Sequence, residues 1–260
     1  MNEEQKFRSQ CLKEVSEQGC SDKLNSLTRQ WVNESIKTNY SYHFEWLGRP
    51  VIQYPQDLVG TQQILWSVQP DLIIETGIAR GGSLIFYASI LELIAQCGGP
   101  SNARVLGIDI DIRKHNEEAV LAHPMAKRIE MIQGSSIENS VVNQVRKRAI
   151  SAKKVMVCLD SNHTHEHVLE ELRLYAPLVS VGSYIIVFDT FVEDIPNSLI
   201  KDRPWAKGNN PKTAVYKYLQ EIKDKDICDR EGVKLQLEID EDIQSKLMIT
   251  VAPSGYLKRQ

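Results

Sequence analysis

The stretch Asp71-Leu-Ile-Ile-Glu75-Thr-Gly77-Ile-Ala-Arg-Gly81-Gly82-Ser83 joins a short apolar run to a glycine-rich turn, and the helix-like Leu84-Ile-Phe-Tyr-Ala-Ser-Ile-Leu follows directly. A strand that turns on glycine and opens a helix forms the nucleotide-binding corner of a doubly wound sheet. That one feature narrows the chain to the α/β class.

The rest of the chain keeps the same rhythm. Strands are predicted at Asp71–Glu75, Arg104–Asp109, Ile129–Gln133, Lys154–Asp160 and Tyr184–Phe188. Between them, Ser83–Gln96, Asn139–Ser151 and His165–Tyr175 read as helices, with a short helix or loop at Pro124–Arg128. Short apolar strands separated by helices indicate a mostly parallel sheet with helices on both faces. Thr213–Lys223 is a further amphipathic helix. Val233–Ile239 and Leu247–Val251, joined through Asp240-Glu-Asp, are expected to pair as an antiparallel hairpin at the sheet edge.

Ahead of this core, residues 1–35 are polar and helical in pattern, with Leu12, Val15, Leu24, Leu27 and Trp31 as possible contacts. The aromatic segment after them suggests an irregular cap over the sheet edge or the site. His43, Trp46 and Tyr54 are its candidates for substrate contact, against the plainer alternative that such rings simply pack. The expected division is a helical extension and cap over 1–57 and a main domain over 58–260.

Charge and cysteine use bear on partners and compartment. Acidic and basic residues nearly balance, 34 against 31, which argues against nucleic acid as the main partner. No apolar run reaches the roughly 18 residues that cross a bilayer, so no membrane partner is expected. Met1-Asn-Glu-Glu-Gln-Lys lacks the basic-then-apolar pattern of an export signal. Cys11, Cys20, Cys97, Cys158 and Cys228 are scattered and lack metal-ligand spacing. Together these features predict free thiols in a reducing cytoplasm.

Polar groups recur at successive strand ends. Glu75, Thr76, Gly77, Gly81, Gly82 and Ser83 form the first corner, where helix-start amides can receive an anion. The spacing is not GxGxxG, and the bulky Arg80 intervenes, so a cofactor smaller than a dinucleotide fits better. Asp109 ends the second strand, where an acid can accept ribose hydroxyls. Gln133, Gly134, Ser135 and Ser136 follow the third strand, where a nucleobase edge could meet an amide or hydroxyl.

The fourth strand ends in Asp160-Ser-Asn-His163-Thr-His165-Glu166-His167 and the fifth in Asp189. Adjacent parallel strands bring Asp160 and Asp189 together, and a hard cation such as Mg²⁺ or Ca²⁺ would offset their repulsion. His163 stands ready as a base. The alternative is that Asp160 caps a helix and Asp189 starts a turn. The histidine spacing suits no recognised zinc signature. Arg203-Pro-Trp205 and Gly208-Asn-Asn-Pro-Lys-Thr213 read as a lid or as a static loop closed by an Asn210 cap.

The segments Ile74–Ala88, Leu159–His163, Gly208–Ala214, Trp46–Pro50 and Gln53–Asp57 together resemble the cephalosporin hydroxylase family of class I S-adenosylmethionine-dependent methyltransferases. The resemblance runs from about residue 40 to Lys258. It implies a Rossmann-like, often oligomeric enzyme that uses S-adenosyl-L-methionine. Glu75, Gly77 and Gly81 would lie against the methionine part and Asp109 would hold the ribose. Related macrolide-sugar O-methyltransferases require Mg²⁺, and their metal-ligand aspartate with a catalytic histidine three residues on matches Asp160 and His163. Their second metal motif is an acidic pair, where this chain has Phe188-Asp189. Glu193, Asp194 or water is then expected to substitute, or metal binding to weaken.

The expected reaction is methyl transfer to a hydroxyl of a sugar or glycan-like small molecule, with His163 taking the proton. A homo-oligomer is expected. Two other functions remain open at this point. One is an Fe(II) hydroxylase using Asp160, His163 and His167. The other is a scaffold that binds S-adenosylmethionine without chemistry.

Overall fold

A computed structural model describes residues 1–200 and 202–260. In chain order its elements are α1 (Glu3–Gly19), α2 (Asp22–Lys37), β1 (Phe44–Trp46), β2 (Arg49–Val51), α3 (Pro55–Val68), β3 (Leu72–Thr76), α4 (Gly82–Gln96), β4 (Arg104–Asp109) and α5 (Lys114–Leu121). Then come β5 (Ile129–Gln133), α6 (Asn139–Ser151), β6 (Val155–Leu159), α7 (His165–Tyr175), β7 (Tyr184–Val187), α8 (Pro211–Asp224), β8 (Leu237–Ile239), α9 (Glu241–Leu247) and β9 (Tyr256–Arg259).

Seven strands form the main sheet in the order β5-β4-β3-β6-β7-β9-β8. The first five run parallel, and β9 pairs antiparallel with both β7 and β8. The chain winds outward from β3 to β5, then returns to lay β6 beside β3. That reversal opens a crevice beyond the carboxyl ends of β3 and β6, where ligands bind in such sheets.

The central strands can sit there because they are apolar on both faces. All five residues of β3 and all five of β6 are buried. Alternate residues feed two cores. Ile74, Val157 and Val187 pack with α6, α7 and α8 on one face, while Ile73, Met156 and Ile186 pack with α3 and α4 on the other. Each such side chain contributes about 1.5–3 kcal/mol on burial.

The C-terminal segment departs from expectation. Leu247–Val251 is not a strand. Asp240 caps α9 by accepting from the Ile243 amide at 3.1 Å, and Glu241 and Asp242 fill the first turn, where acids suit the helix dipole. The antiparallel edge is made instead by β8 and β9, with β9 inserted next to β7. The Thr250–Val251 loop is held by the buried Asp57 of α3, which accepts from the Val251 amide at 2.9 Å, the Tyr256 hydroxyl at 2.7 Å and the Thr250 hydroxyl.

Residues 3–19 and 22–37 are helical, but α1 buries no residue, and Leu12, Leu24 and Leu27 are exposed. Helix α2 buries Val32 and Ser35, and Trp31 meets Tyr40 and Tyr54 edge-to-face at 5.0 and 5.6 Å. Behind them β1 and β2 form a small antiparallel hairpin, the cap.

Candidate active site

At the end of β3 the backbone turns at Gly77, whose φ of +90° lies in the left-handed region. A Cβ there would overlap the Asp160 carbonyl, so only glycine lets the β3 and β6 ends close up. The neighbouring glycines serve other contacts. Gly81 makes room for Val120, and Gly82 lets the Pro50 carbonyl of the cap rest on the start of α4. The cap also grips this turn through Arg49, which donates to the Arg80 carbonyl and to Asn116 Oδ1 at 3.2 Å.

Glu75 is buried beneath the turn. One of its oxygens accepts from Ser83 Oγ at 2.8 Å, and the other has no partner. Burial pushes its carboxyl up to about 8. Thr76 is wholly buried beside it. Asp109 accepts from the Ile78 and Ala79 amides at 2.8 and 3.2 Å, so it anchors the same turn from the next strand. Gln133 is exposed, and the Gly134 amide donates to the Asp109 carbonyl at 2.8 Å. Ser135 stays partly exposed, while Ser136 is buried and donates to Glu171 at 2.6 Å.

Asp160 and Asp189 follow β6 and β7, which pair in parallel register up to Leu159 and Val187. Ligand atoms of Asp160, His163 and Asp189 lie within 4.8 Å of one another. His163 Nε2 is 3.2 Å from Asp189 Oδ2, and Gln53 Nε2 donates to Asp160 Oδ2 at 3.1 Å. Burial first, then the Asp189 carboxylate, pushes the Asp160 carboxyl well above the usual range. A divalent cation would offset both causes. The two carboxylates are hard oxygen donors that fit Mg²⁺ or Mn²⁺, with the His163 imidazole standing beside them.

The three histidines diverge. His165 Nδ1 meets Thr213 Oγ1 at 2.7 Å. His167 Nε2 sits 3.1 Å from Ser136 Oγ, 3.2 Å from Ser161 Oγ and 3.4 Å from Glu171. The Asp160, His163 and His167 triad for iron is therefore not assembled. Glu193 and Asp194 also work elsewhere. Glu193 accepts from the Gly208 amide at 2.8 Å and from Asn210, and Asp194 pairs with Lys212 at 2.6 Å. Both brace the loop before α8 and leave the place of the missing acid empty of carboxylate. Phe188 is buried in the core.

The group opens into a cavity of about 790 Å³ whose walls include Gly77, Gly82, Ser83, Asp160, His163 and Asp189. Tyr54 lines it, with its hydroxyl 2.8 Å from Ser35 Oγ. Trp46 does not. Its indole donates to Ser89 at 2.9 Å and its ring meets Phe86 edge-on at 4.9 Å, so it fastens the cap to α4. His43 stands 6.5 Å from the Tyr40 ring and is also outside the lining. Gln53 and Trp205 are among the lining residues that sequence reasoning did not single out as site candidates. Gln53 opens the Gln53–Asp57 segment, which carries the family resemblance but no role for this residue, and Trp205, 4.8 Å from the His163 ring, reads from sequence only as part of a loop. The density of aromatic residues after Asn39 was the available signal for an acceptor wall, without saying which rings face inward.

A glycine turn at the switch point and a carboxylate–histidine group share one cavity, and Asp109 braces the turn from outside its lining, an arrangement of the S-adenosylmethionine-dependent methyltransferase class. The chain belongs to the Rhamnosyl O-methyltransferase/CmcI family, whose model matches residues 38–260. It is 29% identical over 209 residues to the rhamnosyl O-methyltransferase of Mycobacterium tuberculosis H37Rv, covering 78% of this chain and 73% of that one. The Mycobacterium leprae rhamnosyl O-methyltransferase is 30% identical over 154 residues, covering 58% and 62%. Among solved structures, a CmcI structure described as Mg-SAM aligns over 84% of this chain and 77% of its own, with a TM-score of 0.54 and 17% identity. That last likeness speaks for the fold.

Proposed function

We propose that the protein transfers the methyl group of S-adenosylmethionine to a hydroxyl of a sugar or glycan-like acceptor, with a divalent cation assisting. The observation that carries this reading is the Asp160–His163–Asp189 group facing one cavity with the Gly77 turn. Membership of a family with sugar methyltransferases supports the acceptor class. When bound, S-adenosylmethionine supplies a sulfonium-activated methyl group and Mg²⁺ supplies charge that favours the ionised acceptor.

The remaining work belongs to the chain. His163 accepts the hydroxyl proton, and Asp189 beside it orients the ring and stabilises the imidazolium. Trp205 closes one side of the imidazole and excludes water. Glu75, with an unpartnered buried oxygen, is placed to accept from the ammonium group of the donor. Asp109 can take the ribose hydroxyls at its partly exposed edge. Holding both reactants in one cavity supplies much of the rate, because the methyl group is already activated.

The test is transfer of labelled methyl from S-adenosylmethionine to a panel of free and glycosidic deoxyhexoses. Wild type is expected to be active with Mg²⁺ and inactive after exhaustive EDTA treatment. His163→Ala is expected to lose about 10²–10⁴-fold in kcat. Full activity in either condition would remove the corresponding role.

The extension and cap over 1–57 and the main domain over 58–260 are proposed as the working division. Five unpaired cysteines support a reducing cytoplasm. Exposed Phe7, Leu12, Leu24 and Leu27 on the first two helices support a homo-oligomer.

A further inference from the structure

Gln53 lies just after β2, in the cap, whereas Asp160, His163 and Asp189 all follow strands of the main sheet. It is 5% exposed and lines the same cavity. Its Nε2 donates to Asp160 Oδ2 at 3.1 Å, while its Oε1 is buried with no partner. A buried amide oxygen without a partner is destabilising, and a thioether or alkyl chain of similar volume would fill the space without that cost. Stability alone does not explain this residue.

The backbone that carries it is seated beforehand. The Pro50 carbonyl rests on Gly82, and Arg49 reaches the Arg80 carbonyl and Asn116. The amide therefore arrives at Asp160 from a fixed strand. A neutral donor at that oxygen turns the carboxylate without cancelling its charge, as a lysine or arginine would. With only two carboxylates in the group, the orientation of each one counts heavily.

We propose that Gln53 is a positioning residue for the cation site, acting through Asp160 and tying the state of the cap to metal affinity. This rests on Asp160 and Asp189 being the metal ligands beside His163. Outer partners of metal ligands typically contribute about 10–100-fold to affinity.

The experiment is Mn²⁺ titration of the full chain without substrate, followed by electron paramagnetic resonance, for wild type and Gln53→Met. Donor affinity is measured by calorimetry and thermal stability by circular dichroism on the same samples. The expected result is Mn²⁺ binding weakened about 10-fold or more, with donor affinity within about twofold and Tm not lowered. Methyl-transfer kcat returns at high Mg²⁺, so the defect appears in the Mg²⁺ requirement. Gln53→Ala, which leaves room for water, is expected to weaken Mn²⁺ similarly and serves if the methionine variant does not fold. Unchanged Mn²⁺ affinity in either folded variant overturns the proposal, as does a loss of Tm and donor binding with Mn²⁺ binding intact. Failure of wild type to bind Mn²⁺ would instead overturn the metal reading beneath it.

Discussion

Gly77 and Gly98 share nearly the same backbone angle, φ of +90° and +91°, yet they differ in what surrounds them. At Gly98 a Cβ would meet nothing within 4 Å, whereas at Gly77 it would strike the Asp160 backbone. Gly98→Ala therefore carries only left-handed strain, about 1 kcal/mol. Gly77→Ala adds overpacking against a strand end, for a total of about 2–4 kcal/mol, and it moves Asp160. Urea denaturation of both variants checks the difference, and calorimetry should find donor binding lost in Gly77→Ala alone. The same contrast shows what sequence could tell at this scale. The glycine at position 77 was legible as a turn residue, but its collision partner was not, because Asp160 lies 83 positions away in the chain.

At the scale of elements, β4, β5, α6 and α7 were legible to the residue, since their apolar periods are strong and their ends carry turn residues. The C-terminal segment was not. Ile249-Thr-Val251 has the β-branched look of a strand, but Asp57 captures its backbone and Thr250 hydroxyl, and a tertiary bond outweighs local propensity. That contact predicts a pH dependence. Burial pushes the Asp57 carboxyl up to about 6, against an ordinary 3.8. The folded chain therefore holds a proton that the unfolded chain releases, and stability falls as pH rises through that window. The loss from this group is at most about 3 kcal/mol between pH 4 and 7. Urea midpoints across that range should show the decline, and Asp57→Asn should make it shallower, the remainder coming from Glu75 and Asp160. A steeper decline in the variant would contradict the assignment.

For the molecule as a whole, the site concentrates uncompensated acid. Glu75 and Asp160 are both held above their ordinary ranges, chiefly by burial. A cation that binds the folded chain alone stabilises it by RT ln(1 + [L]/Kd), about 2.7 kcal/mol at a hundred times Kd. Mg²⁺ or Mn²⁺ is therefore expected to raise Tm by several degrees in wild type, and EDTA to reverse the rise. Asp160→Asn should abolish the shift. A Tm indifferent to both ions would count against the metal group.

Local periodicity and strand-end punctuation by themselves determined the α/β class, the parallel core and the placing of Glu75, Asp109, Asp160 and Asp189 at strand ends, because these depend on residues near one another in the chain. Which polar atoms meet was decided only by the tertiary structure. The start of α7 sends His163, His165 and His167 to three separate partners, Glu193 and Asp194 turn to the loop before α8, and the cap sends Trp46 to α4 while delivering Gln53 to Asp160. Those outcomes follow from how the cap and the β6 and β7 ends dock across the switch point. No local pattern encodes such docking.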